Sequence, residues 1–143
     1  MQLTKFTDYS LRVLIYLGLK RDSELASVKQ ISALFDLSNN HIVKVVHQLG
    51  KLGYLNTQRG KGGGISLARA PKEINLGVLI RELENRLDAV ECGGDNPCRI
   101  LPHCKLKAAL AEAVNAYLKV LDGYTLDDLL TPQNELRQIL SLS

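Results

Sequence analysis

Residues 27–53 read Ser27-Val28-Lys29-Gln30-Ile31-Ser32-Ala33-Leu34-Phe35-Asp36-Leu37-Ser38-Asn39-Asn40-His41-Ile42-Val43-Lys44-Val45-Val46-His47-Gln48-Leu49-Gly50-Lys51-Leu52-Gly53, and the fold turns on them. Ser27 followed by Gln30 is the signature of a capping box, so a short helix is expected over 28–35. Asp36-Leu37 makes a brief break, and Ser38 caps the next helix. The apolar residues of that helix, Ile42, Val45, Val46, Leu49 and Leu52, step by three and four, which makes one buried stripe. Gly53 stands where a helix C-terminal glycine belongs. Two helices joined by a tight turn are the helix-turn-helix plan.

The other face of the second of these helices presents Asn39, Asn40, His41, Lys44, His47, Gln48 and Lys51. Such donor-rich side chains suit base edges and phosphates, and a carboxylate-free face argues against an ordinary solvated surface. Upstream, Thr7 is the expected cap of a first helix reaching about residue 20, with Leu11, Leu14, Ile15 and Leu19 at helical spacing. Downstream, residues 54–58 and 65–67 alternate like strands around Arg59-Gly60-Lys61-Gly62-Gly63-Gly64, a hairpin with a basic tip. A nucleotide-phosphate loop would lead from a strand into a helix and carry Lys-Ser or Lys-Thr, which these glycines do not. The hairpin reads as the wing of a winged helix, placing Arg59 and Lys61 against a groove or the phosphate backbone.

Charge divides the chain in the same way. Residues 1–70 carry ten Lys/Arg against four Asp/Glu, and residues 71–143 eight against eleven. No acid occurs between Asp36 and Glu73, whereas Lys44, Lys51, Arg59, Lys61, Arg69 and Lys72 fall inside that window. This is the electrostatic footprint of phosphate binding. The whole chain, 143 residues with 23% charged and 45% hydrophobic, has a globular composition. It has no apolar run of the roughly 18–20 residues that a membrane helix needs, and no basic-then-apolar leader pattern at its start. A cytoplasmic protein with no membrane partner is expected. No nucleophile–base pair or paired carboxylates can be assigned to one pocket, so an enzyme is not expected.

The acidic half holds the remaining chemistry. Asn75 caps a helix expected over about 76–84, after which periodicity lapses through residue 101. Cys92, Cys98 and Cys104 lie there as C-x5-C-x5-C. Three cysteines cannot make a closed disulfide framework. Soft thiolates favour zinc, copper or iron–sulfur clusters, and structural zinc prefers ligand pairs two to four residues apart. A cluster usually takes four thiolates, so a fourth ligand must be His103, Asp95, Glu91 or Asp8, or one iron stays open. An oxygen ligand there would leave the iron accessible to nitric oxide or dioxygen, a sensor's chemistry. The competing readings are a thiol–disulfide switch or a zinc site, in a DNA-binding protein without a cluster, and an electron carrier that binds no DNA. Pro102 is expected in the first turn of a long helix to about residue 121. Leu106, Leu110, Ala113, Tyr117, Val120 and Tyr124 form a seam along it fit for a partner helix. Residues 125–128 resemble a further capped helix start, and the tail a short final helix.

Several of these stretches together resemble the winged-helix iron–sulfur regulators over nearly the full length. They are Leu3-Thr4-Lys5-Phe6-Thr7-Asp8-Tyr9-Ser10-Leu11-Arg12, Asn40-His41-Ile42-Val43-Lys44, the glycine-rich wing, the three cysteines, and Leu121-Asp122-Gly123-Tyr124-Thr125-Leu126. Within that family the chain is most similar to the nitric-oxide-sensing repressors. The resemblance implies a mainly α protein: a winged helix-turn-helix DNA-binding domain over 1–84, a cysteine loop over 85–105, and a dimerisation helix and tail over 102–143. It implies a homodimer on an inverted-repeat operator, with nitric oxide as the signal that derepresses detoxification genes. It implies a cluster, 4Fe–4S or 2Fe–2S, on Cys92, Cys98 and Cys104, with Asp8 contributed across the dimer. The DNA contacts would be Asn40, His41, Lys44, His47, Lys51, Arg59 and Lys61. The sister repressors of cluster-assembly genes share the cysteine spacing but carry a His ligand three residues after the last cysteine. Lys107 stands there in this chain.

Overall fold

The computed structural model describes residues 2–21 and 24–142. Six α-helices and one hairpin follow in order: α1 Lys5–Leu19, α2 Val28–Phe35, α3 Asn39–Lys51, β1 Leu55–Gln58, β2 Gly64–Leu67, α4 Leu76–Leu83, α5 Lys105–Leu121 and α6 Gln133–Ile139. Short 3-10 turns occupy Pro71–Glu73, Leu101–His103 and Asp127–Leu130. This is a mainly α winged helix-turn-helix.

The local chemistry of the helix-turn-helix is as expected. The Ser27 hydroxyl accepts from the Gln30 amide at 3.1 Å, and the Gln30 side chain accepts from the Ser27 amide at 2.9 Å. Asp36 turns the chain in a left-handed conformation at φ 52°, and Leu37 N–H donates back to the Ser32 carbonyl at 2.9 Å. Ser38 then caps α3 by accepting from the His41 amide at 3.2 Å. At the far end Gly53 adopts φ 81°. Tyr54 N–H reaches the Leu49 carbonyl and Gly53 N–H reaches that of Gly50, the paired bonds of a Schellman ending.

Helix α1 is the hub. It packs against α3, α4, α6, β2 and the Asp127–Leu130 turn. That corrects the single stripe expected for it. Val13, Leu14, Tyr16, Leu17 and Leu19 are buried, whereas Leu11 and Ile15 are only partly covered. A helix wrapped on several sides buries most of its circumference, and a one-face periodicity describes it poorly. The cap is also corrected: Thr4, not Thr7, caps α1, accepting from the Thr7 amide at 3.3 Å. Thr7 sits one turn in and is fully buried.

The wing strands pair antiparallel, with Leu55 opposite Leu67 and Gln58 opposite Gly64. Ala26, just ahead of α2, bridges Ile65 through two backbone bonds, tying the wing to the helix-turn-helix. Gly63 is required sterically: a Cβ there would lie 2.2 Å from the Gln58 carbonyl oxygen. One core joins α1, α2, α3, the wing and α4. A smaller cluster of Ile80, Val114 and Leu118 seats α5 on α4. Helix α5 starts later than expected, at Lys105, because Pro102 belongs to the separate 3-10 turn before it.

Candidate nucleic-acid interface and cysteine loop

Asn40, His41, Lys44, His47 and Lys51 are all exposed on α3, and Arg59 and Lys61 are exposed at the wing tip. Among the described residues, ion pairs join Arg12 to Asp8, Lys20 to Glu24, Arg81 to Asp122 and Arg86 to Glu91. None of Lys44, Lys51, Arg59 or Lys61 takes part, so these cations remain available to a polyanion. The seven residues are not equivalent. The His41 ring lies 5.9 Å from that of Tyr9, against α1. Lys44 and His47 line a cleft of about 420 Å³ with Phe6, Gln48, Glu82, Leu83 and Asn85.

Two residues outside the sequence-derived set hold this face in place. Arg69, at the exit of the wing, donates to the Leu52 and Gly53 carbonyls at 3.0 and 3.1 Å. It thereby satisfies free carbonyls at the C-terminal end of α3. Its guanidinium also lies 4.4 Å from the centre of the Tyr54 ring. The Tyr54 hydroxyl donates to Glu82 on α4, and burial, then this bond, pushes the phenol up to about 12. Arg69 stands in the acid-free window, which was its one visible signal. The pairing of Tyr54 with Glu82 had none.

The cysteine loop runs from the end of α4 to the start of α5. Cys92 and Cys104 are half-buried, Cys98 is exposed, and all three are free thiols. Backbone bonds step through them: Cys98 N–H to the Cys92 carbonyl at 3.3 Å, Leu101 to Cys98 at 3.1 Å, and Cys104 to Leu101 at 3.4 Å. Arg86 pairs with Glu91 across the loop's start at 2.8 Å, which holds the Glu91 carboxyl below its ordinary range. Glu91 is therefore engaged by a cation, while His103 and Asp95 are exposed. Asp8 is half-buried in the first turn of α1 and receives two bonds from Arg12, at 3.1 and 2.8 Å. Among the described residues of a single chain, no three His, Cys, Asp or Glu side chains are gathered closely enough to hold a metal ion. By donor chemistry, three unpaired thiols on one exposed loop fit a soft metal centre.

One connection ties the loop to the reading head. The Thr4 amide and hydroxyl both donate to Glu84, at 2.8 and 3.0 Å. Glu84 is the C-cap of α4, where the cysteine loop begins, and Thr4 is the N-cap of α1, four residues before Asp8.

A winged helix whose α3 and wing expose unpaired bases defines a DNA-binding transcriptional regulator. Residues 3–132 match the Rrf2 family of iron-dependent transcriptional regulators, and the chain belongs to that family. Within it the chain groups with the NsrR regulators. It is 50% identical over 144 residues to the HTH-type transcriptional regulator NsrR of Halalkalibacterium halodurans, covering 99% of each chain. It is 47% identical to that of Bacillus subtilis, again over 99% of each. Among solved structures, CymR, the global cysteine regulator of B. subtilis, superposes with a TM-score of 0.71 at 28% identity, covering 90% of this chain and 95% of that one. The IscR of T. potens shares the fold, with a TM-score of 0.75 at 24% identity and coverage of 96% and 91%. These relatives are regulators, and the chain is not an enzyme. No helix among the described residues is long and apolar enough to cross a membrane.

Proposed function

We propose that this chain is a cytoplasmic, homodimeric repressor that binds an inverted-repeat operator and releases it in response to nitric oxide. Cys92, Cys98 and Cys104 would hold an iron–sulfur cluster, 4Fe–4S in preference to 2Fe–2S, with Asp8 of the second subunit as fourth ligand. When bound, the cluster supplies iron reactive toward nitric oxide. The carrying observation is that the free thiols occupy the loop that starts at Glu84, the residue bonded to the cap of the Asp8 helix.

The chain's own residues supply the coupling. Helix α1 carries Asp8 in its first turn and meets α3 through Tyr9 and His41. A shift of α1 therefore moves the reading helix. Arg12 holds Asp8 in a single chain, so engagement of Asp8 elsewhere frees a cation beside the reading face. Leu106, Tyr117, Val120 and Tyr124 stand 63, 38, 63 and 47% exposed on and just after α5. A second copy of the same seam is the partner that would cover them. Lys107, exposed on the first turn of α5, favours this reading over regulation of cluster-assembly genes, because it offers no imidazole there.

The test is an Asp8→Ala variant purified without air. Changing operator affinity tenfold requires about 1.4 kcal/mol, within reach of one lost ligand per subunit. An altered operator affinity or an altered nitric-oxide response at equal iron content supports the assignment. Neither altered would remove Asp8 from the mechanism.

A further inference from the structure

Asn40, Val43, Lys44 and His47 stand at i, i+3, i+4 and i+7 on α3, so their side chains form one strip along its first turns. All four are exposed. Three are polar or charged. The fourth is aliphatic: Val43 is 51% exposed, whereas Ile42, Val45, Val46 and Leu49 of the same helix are at most 7% exposed. A β-branched residue adds little to a solvent-facing helix position, since its χ1 is restricted and its propensity modest. Its surroundings say what could cover it. No acid occurs from residue 37 to residue 72, and Lys44, Lys51, Arg59 and Lys61 are unpaired among the described residues. Glu82 of α4 lines the cleft behind Lys44 and His47, but α3 and the wing themselves carry only positive charge, and the occupant this complementarity selects is a polyanion. Of the features a base pair shows in the major groove, one is apolar, the C5-methyl group of thymine.

We propose that Val43 is a specificity-determining residue that reads a thymine methyl group, so that each operator half-site carries a thymine at one fixed position. This rests on the reading of α3 as the recognition helix, and it adds what that helix selects. Asn40 and His47 flank Val43 on the strip and would read neighbouring bases. Lys44 beside it would hold a phosphate and contribute no choice of base.

The experiment uses the full-length chain purified without air. Duplexes are first enriched from a random-sequence pool by this protein. Each thymine of the enriched half-site is then replaced, one at a time, by deoxyuridine, which removes only the methyl group. At one position the wild-type chain is expected to lose about fourfold in affinity per half-site, the equivalent of about 0.8 kcal/mol for one buried carbon. Val43→Ser should bind the thymine operator more weakly and be indifferent to uracil there, while Val43→Ile should stay sensitive. Lys44→Ala should weaken both duplexes equally. An enriched duplex that tolerates uracil everywhere would overturn the inference and leave α3 as the reading helix. Uracil sensitivity that persists in Val43→Ser, or a Val43→Ser defect confined to dimer formation, would overturn it as well. Failure to enrich any duplex would overturn the recognition-helix reading itself.

Discussion

The two halves of this molecule solve opposite problems. From α1 to α4 the chain builds one continuous core, caps its helices by side chains, and leaves the basic residues of α3 and the wing unpaired. From residue 85 onward it adds to that core through Leu126 and the turn and helix after it, which pack on α1, while α5 lies outside it. Ile80, Val114 and Leu118 seat α5 with Leu121 against them, and Leu106, Tyr117 and Val120 of that helix are exposed. Arg81 of α4 reaches across to Asp122, and Arg86 of the loop pairs with Glu91. The reading face is complete in a single chain, with Lys44, Lys51, Arg59 and Lys61 outside every ion pair among the described residues. In the proposed reading a second subunit would cover the exposed side of α5, and the three thiols would hold the metal centre. In that reading the asymmetry suits a sensor, because the element that responds must be less stable than the element that reads.

Core truncation should separate the halves most strongly. Leu49→Ala, at a fully buried site in α3, should cost about 2–5 kcal/mol in urea denaturation of the chain. Val120→Ala, 63% exposed, should change subunit stability by less than about 0.5 kcal/mol. It should nonetheless weaken dimerisation in sedimentation equilibrium. Equal costs at both sites would mean that the second half is not left open for a partner.

The wing sharpens the comparison next. Gly63→Ala forces a Cβ against the Gln58 carbonyl, and overpacking of this kind costs about 1–3 kcal/mol. Operator affinity should fall with stability, while iron uptake by the cysteine loop should be unaffected. A matching loss of iron uptake would show that damage to the wing reaches the cysteine loop.

Free and paired bases should then differ in their salt response. Lys61→Ala should flatten the dependence of log affinity on log salt by about one unit, the signature of one lost phosphate contact. Arg81→Ala removes a cation already committed to Asp122 and should leave that slope unchanged. Fluorescence anisotropy across a salt series reads both.

The smallest effect lies within the first half, where Tyr54 after α3 is bonded to Glu82 of α4. The Tyr54 phenol, ordinarily at 10 and pushed up to about 12 by burial and by Glu82, is protonated more readily in the folded chain. The stability this contributes is complete below pH 10 and is lost as pH rises through about 12. The margin of the wild type over Tyr54→Phe in denaturation midpoint should therefore shrink across that window.

What was legible follows the same division. The Ser27–Gln30 box, the Ser38 cap, Gly53 and the glycine-rich wing are local devices, and each stands where its spacing placed it. The first cap was misplaced because Thr4 and Thr7 both precede apolar helical turns, and only tertiary packing shows that Thr7 is interior. The stripe on α1 failed because five elements surround that helix. The Thr4–Glu84 and Tyr54–Glu82 contacts join residues 80 and 28 positions apart, which no local pattern reports. The cysteines were visible by spacing. In the proposed reading their fourth ligand comes from a second subunit, which a single chain does not contain.

The most direct measurement is a nitric-oxide titration of anaerobically purified protein bound to a labelled operator, with visible absorbance and fluorescence anisotropy recorded together. The account predicts a brown protein whose bands bleach as the operator is released, both at the same few equivalents of nitric oxide per cluster. A colourless protein that takes up no iron and sulfide, or one that bleaches while staying on its operator, would contradict it.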